Sequence, residues 1–327
     1  MATMQQVTIG LSVHRPEMIT LISDLMQHHE ALFLEEPPSA DFRQMLQGVV
    51  SVDDYLDPLD VEYPEFSRRM CCLLRELYRN GRKIFQVEPF IESLLAIHEF
   101  FAEGHGPGEL NKDSLQYPVY LAERNATAAL LAYYQTVMHE SFNKTIVAIK
   151  QFARMDAARF RLRDSLRAQQ LAALIGKYCS SYVEAGVIHY PLWRLIRQQV
   201  SSQIRVRPVF LADAALQTMK EKGHFYGPGD QLTLLYIFHP TITNTMREQV
   251  LAARSIIYSK IIVKEELTED VVTFPHLRDE LACIRTTGQL TLDDCRRLFP
   301  LIRRTKSLDA RQIVAEYLAE LKPRTRN

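Results

Sequence analysis

Four short apolar runs in this chain each end in a side chain able to move a proton or bind a metal. Val7 to Val13 leads into His14, and Ser181 to Ile188 leads into His189. Ala31-Leu32-Phe33-Leu34 runs into Glu35-Glu36, and Lys83 to Val87 runs into Glu88. A histidine at a strand end is easily held in one orientation, and neutral imidazole is the commonest protein ligand of a catalytic metal. With a carboxylate from a neighbouring strand, His14 and His189 would form a His/Glu/His site for a divalent ion such as Mn, Co, Zn or Fe. Such an ion generates hydroxide near neutral pH. Without a metal, the same histidine and glutamate would serve as a general base and its orienting partner. Either route leads to hydrolysis. Adjacent residues of an extended chain point to opposite faces, so one of Glu35 and Glu36 is expected in the cleft, with Glu35 preferred.

The elements that must position these side chains follow from two alternating periods. A strand at 7–13 precedes Pro16, a residue suited to a helix start. Met18, Ile22, Leu25 and Met26 then recur at helical spacing. The strand at 31–36 stops at Pro37-Pro38, and an acidic loop from Asp53 to Glu62 leads to a helix opened by Pro64. Phe66, Met70, Leu73, Leu74 and Leu77 form its buried stripe, and Gly81 ends it. A strand at 83–88 and a helix carrying Phe90, Leu94, Ile97 and Phe101 follow. Strand–helix–strand–helix–strand implies a parallel sheet with right-handed crossovers. Ligands of such sheets bind at the carboxyl ends of the strands.

Residues 119–177 read as helix throughout and are expected to be a helical insertion. The sheet resumes at 181–188, with further strands expected near 205–211 and 231–238. Helices are expected at 242–260, 275–286, 291–304 and 307–321. The fold class is therefore α/β, with a largely parallel, mixed central sheet flanked by helices. The expected division is an α/β domain over 1–240 and a helical region over 241–327.

Bulk composition excludes several classes. The 327 residues are 47% hydrophobic and 24% charged, an ordinary globular balance. Lys plus Arg and Asp plus Glu both number 39, so no global field favours nucleic acid or an anionic membrane. The N-terminus lacks a secretory pattern, and no window reaches the roughly 20 apolar residues a spanning helix needs. Cys71, Cys72, Cys179, Cys283 and Cys295 make neither a disulfide framework nor a zinc pattern. The expectation is a cytoplasmic protein with buried thiols and no nucleic-acid or membrane partner.

Other candidates are secondary. Arg159, Arg163 and Arg167 fall on one helix face, where a ladder of guanidinium groups could hold a carboxylate or a developing oxyanion, or simply pair with Asp156 and Asp164. His239 ends another apolar run. His28-His29 suit a helix C-terminus. Arg296-Arg297 and Arg303-Arg304 read as a solvated face.

The order of these residues resembles the superfamily that includes TraB, the Tiki metalloproteases, ChaN and the erythromycin esterases. Its pattern is a strand ending in Gly-x-x-His, a second strand ending in glutamate, an Arg-Asp or Arg-Asn pair on a helix, and a later Gly-x-x-His. Here the elements are Leu11-Ser12-Val13-His14, with leucine in place of the first glycine, then Leu32-Phe33-Leu34-Glu35, Arg163-Asp164 and Gly186-Val187-Ile188-His189. Arg124-Asn125 offers a competing dipeptide. The resemblance spans about residues 7–200. It implies a metal-dependent hydrolase of peptide, ester or related acyl substrates. In that reading His14, His189 and Glu35 bind metal, and Glu35, Glu36, Arg163 and Asp164 act in catalysis. Glu88, Arg124, Arg159 and His239 would contact a small-molecule or peptide substrate. The same superfamily admits two alternatives, a non-catalytic small-ligand or haem binder and a regulatory interaction protein. The sequence leaves the oligomeric state open, with a homodimer through the C-terminal helices as one arrangement.

Overall fold

The computed structural model describes residues 5–267 and 273–321. They form two compact units, each described by itself. The first comprises Met1–Tyr120, Arg161–Lys222 and Glu266–Pro275, and the second Leu121–Phe160, Gly223–Glu265 and His276–Asn327. This division differs from the expected break at 240: residues 121–160 of the predicted insertion group with the C-terminal helices. Among the described residues, no helix is long and apolar enough to cross a membrane.

The first unit is built on five parallel strands: β1 (Gln6–Ser12), β2 (Ala31–Leu34), β3 (Lys83–Gln86), β4 (Ser180–Gly186) and β5 (Arg205–Phe210). The helices between them are α1 (Ile19–Met26), α2 (Ala40–Gln47), α3 (Val52–Leu56), α4 (Pro64–Arg79) and α5 (Pro89–Ala102). Next come α6 (Gln116–His139) and α7 (Phe142–Ile175), then α8 (Leu192–Gln199) before β5 and α9 (Leu211–Met219) after it. The strand order is β3-β2-β4-β1-β5. β1 is buried along all but its first residue, as a strand covered on both faces must be. β5 lies at an edge, where the missing N–H of Pro208 is tolerated.

One face of the sheet buries Ile9, Leu11, Phe33, Val183 and Ala185 against Ala168, Leu171 and Ile175 of α7 and Leu192 and Ile196 of α8. Period-two alternation sends Gly10, Tyr182 and Glu184 to the opposite face. There the Tyr182 hydroxyl lies 2.0 Å from where a Cβ on Gly10 would stand, so only glycine fits at that point of β1. The acidic stretch expected as loop carries α3, which Ser51 caps by accepting from the Asp54 amide at 2.9 Å.

In the second unit, α10 (Pro228–Phe238), α11 (Met246–Ile261), α12 (Pro275–Gly288), α13 (Leu292–Ile302) and α14 (Ser307–Leu321) follow one another. Ile146, Ile149 and Ala153 of α7 share a core there with Leu232, Tyr236, Ile256, Ile257 and Leu298. The expected strand at 231–238 is part of α10. Its apolar run is buried nearly all round, which erases the periodic signal, while its start is typical of a helix. Pro228 occupies the first turn, and Asp230 Oδ2 accepts from the Gly227 amide at 3.0 Å.

Candidate functional site

The strand order places β4 between β2 and β1, so the chain leaves in different directions from adjacent strand ends. Crevices form at such switch points. His14 stands two residues beyond β1, Glu35 directly after β2, and His189 in a short 3-10 turn, Val187–His189, after β4. Gly186 begins that turn; its amide donates to Glu35 Oε2 at 2.7 Å and thereby ties the second strand end to the fourth.

Glu35 is the hub. Its Oε1 lies 2.8 Å from His189 Nε2 and accepts from Arg163 at 2.9 Å. Its Oε2 is 3.6 Å from the Arg167 guanidinium. Asp164 takes the other ring nitrogen of His189. Glu88, fully buried, pairs with Arg163 at 3.1 Å. Arg167, also fully buried, donates to the backbone carbonyls of Val87 at 2.9 Å and Glu184 at 2.7 Å. Burial alone would strip the proton from His189, but the charges of Glu35 and Asp164 outweigh it and push its pKa up to about 9. Burial likewise disfavours the Glu35 anion, yet His189 and Arg163 hold its carboxyl well below the usual range. Three acids, Glu35, Glu88 and Asp164, are thus balanced by Arg163, Arg167 and a protonated His189. Buried charge of this density is tolerable only when paired in this way.

His14 differs from His189. Its ring stacks on Phe66 of α4, with centroids 5.1 Å apart. Burial lowers its pKa, while Glu35 pulls the other way and His189 and Arg163 add to the lowering. Its Nε2 is buried and has no hydrogen-bond partner. The ring is therefore neutral at pH 7 and keeps a nitrogen available.

His14, Glu35, Glu36 and Glu184 line a cleft of about 570 Å³ whose walls include Tyr55, Tyr63, Phe66 and Met70. Glu36 Oε2 accepts from Gln86 at 3.0 Å and Glu184 Oε2 from the Glu35 amide at 3.3 Å. Burial pushes both carboxyls up to about 7, reinforced at Glu36 by the charge of Glu184 and at Glu184 by that of Glu35.

The structure thus brings together six of the sequence-predicted residues, His14, Glu35, Arg163, Asp164, Glu88 and His189, and sets Glu36 beside them on the cleft wall. The roles expected of some are corrected. Glu88 does not line the cleft; it is a counterion of Arg163 beneath Glu35. Arg163 and Asp164 support Glu35 and His189 and likewise do not line the cleft. The arginine ladder splits: Arg163 and Arg167 serve Glu35, whereas Arg159 pairs with Glu123 at 3.1 Å and Asp156 at 2.7 Å within the second unit. Arg124 and His239 also belong to the second unit, are exposed, and are not among the cleft residues. Cys72 and Cys179 are exposed rather than buried thiols. Sequence reasoning missed Glu184 and placed Arg167 only in the arginine ladder, not as a partner of Glu35. The signal for Glu184 was a single acid inside the apolar run of β4.

A divalent ion held by His14, Glu35 and His189 does not fit this arrangement. Metal ligation needs a free ring nitrogen, and both nitrogens of His189 face carboxylates. Glu35 is already committed to three cations, His189, Arg163 and Arg167, and to the Gly186 amide, and the Arg163 guanidinium 2.9 Å away would repel a metal. Among the described residues, no group of three or more His, Cys, Asp or Glu is placed to hold one.

The chain is similar to an uncharacterized protein of Archaeoglobus fulgidus, at 25% identity over 286 residues, covering 87% of this chain and 94% of that protein. That span exceeds either compact unit, so the likeness extends into both. No family model matches the sequence, and no solved structure matches it.

Proposed function

We propose that the chain is a hydrolase of ester, amide or related acyl substrates in which His14 activates water, a metal-free variant of the chemistry that the TraB–Tiki–ChaN–erythromycin esterase resemblance implies. The observation that carries this reading is the buried, unpartnered Nε2 of a neutral His14 at the cleft. In the reaction, Nε2 accepts a proton from water as the water oxygen bonds to the acyl carbon. The proton then passes to the departing oxygen or nitrogen as the acyl bond breaks. The Glu35 anion stabilises the imidazolium that exists between these two transfers. His189, Arg163 and Asp164 are positioning residues. They hold Glu35 ionised and fixed so that its charge is in place before the reaction begins, which is where electrostatic catalysis gains most.

A panel of 4-nitrophenyl esters and anilides, assayed with and without a chelator, tests this. The expected result is turnover that survives chelation and falls by about 100- to 10,000-fold in His14→Asn. Turnover lost on chelation and restored by one transition metal would overturn the metal-free mechanism. Unchanged turnover in His14→Asn would overturn the assignment of the base.

A further inference from the structure

Of the acids gathered near the strand ends, two have no cation. Glu35, Glu88 and Asp164 are paired with Arg163, Arg167 and His189. Glu36 and Glu184 have no ion-pair partner among the described residues. Glu184 is only 6% exposed, lines the cleft, and has one carboxyl oxygen that meets no hydrogen-bond donor among those residues. The charge of Arg167, the nearest cation to act on it, is taken up by Glu35 and Glu88. His14, the basic group that acts on Glu36, is neutral. Two acids therefore face a cleft of about 570 Å³ without compensation from the protein.

Buried carboxyls are normally paired or bound to a cation. The walls narrow the choice of cation. Tyr55 and Phe66 line the same cleft with Leu56, Leu59 and Met70, while one face of Phe66 is taken by the His14 ring and the Tyr63 ring already carries the Arg15 guanidinium at 4.3 Å. An inorganic ion would gain nothing from such walls, whereas an organic ammonium or guanidinium group on an apolar body gains from both rings and acids.

We propose that Glu36 and Glu184 form a cation subsite, and that the cleft takes substrates carrying an ammonium or guanidinium group. This rests on the hydrolase reading for what happens to the substrate, but not for the binding itself. A basic group held between these two acids leaves the acyl carbon of an ester or amide to be presented to His14, which lines the same cleft.

Calorimetric titration of the full chain with 4-phenylbutylammonium and with 4-phenylbutanol, which share one apolar body, isolates the charge. It is best done near pH 8.5, above the carboxyl pKa values of about 7. The ammonium should bind at least about tenfold tighter than the alcohol, and Glu184→Gln and Glu36→Gln should each remove most of that preference while leaving alcohol binding unchanged. Two variants guard against one failing to fold, and the two-ligand comparison on the unaltered chain needs neither. His14→Asn should keep the preference, so that loss of hydrolysis and loss of cation binding are separate results. Equal affinity for the two ligands would overturn the subsite. So would competition by Mn²⁺ or Zn²⁺ that disappears in Glu184→Gln, which would reassign the two acids to a metal.

Discussion

Oε1 of Glu35 and Nε2 of His189 lie 2.8 Å apart, joining the end of β2 to the turn after β4. The contact sets the two histidines apart. His189 is held between Glu35 and Asp164 and stays protonated, so it is a fixed charge. His14 is the ring with a free nitrogen. Replacing Glu35 would leave Arg163, Arg167 and His189 with a surplus of buried positive charge. Glu35→Gln is therefore expected to destabilise the chain by about 3–5 kcal/mol, the usual cost of breaking one side of a buried pair. Urea unfolding measures this, and a change under about 1 kcal/mol would mean the network is not as tightly coupled as its distances imply.

The same division predicts the pH profile of turnover. His14 must be neutral to accept a proton, and burial lowers its pKa below 6.5. Activity should rise through an acid limb centred below pH 6.5. The alkaline limb should follow loss of the His189 proton, near pH 9, because a neutral His189 no longer fixes the Glu35 anion. Asp164→Asn removes one of the charges that raise the His189 pKa, so the alkaline limb should move toward neutrality while the acid limb stays. A profile whose two limbs shift together would tie both to one coupled group instead.

Much of this was legible in the sequence because strand ends and helical stripes leave periodic traces. The runs into His14, Glu35 and His189 mark in the sequence three residues that the strand ends bring close together. What failed did so for physical reasons. α10 is buried on nearly all sides, so its residues carry no period, and only Gly227-Pro228 and Asp230 marked it as a helix. The three arginines of α7 share a face by spacing, but Arg167 spends its guanidinium on two backbone carbonyls, a role that no side-chain pattern announces. Glu88 reads like Glu35 in sequence, yet lies fully buried against Arg163 rather than in the cleft.

Gly10 and Tyr182 make a second, purely structural prediction. A methyl group at position 10 would stand 2.0 Å from the tyrosine hydroxyl and 2.4 Å from its ring carbon, inside a sheet that cannot move apart without losing its ladder. Gly10→Ala should cost about 1–3 kcal/mol, the range for overpacking a core. The Tyr182 hydroxyl is itself buried without a hydrogen-bond partner. Tyr182→Phe should consequently be neutral or raise stability by about 1 kcal/mol. Thermal unfolding of the two variants decides it, and a large loss in Tyr182→Phe would show that the hydroxyl has a partner.

The cleft acids should also leave a signature in stability against pH. Glu36 and Glu184 have folded pKa values of about 7, above the ordinary 4.5, so the folded chain holds their protons over a range where the unfolded chain releases them. Folding stability from these two groups is therefore undiminished below pH 4.5, declines as pH rises toward 7, and stays at its reduced value above that. The decline is expected to be on the order of 1–3 kcal/mol for the pair, since Glu36 is only partly shielded from water. Glu36→Gln and Glu184→Gln carry no charge to penalise, so each should flatten the decline and overtake the unaltered chain above pH 7. An ammonium ligand should do the same by supplying the absent counter-charge, with a stabilisation that grows as pH rises through 7. Urea midpoints at pH 5 and 8 with and without 4-phenylbutylammonium would show this, and parallel curves for all three proteins would mean that both acids already have a partner.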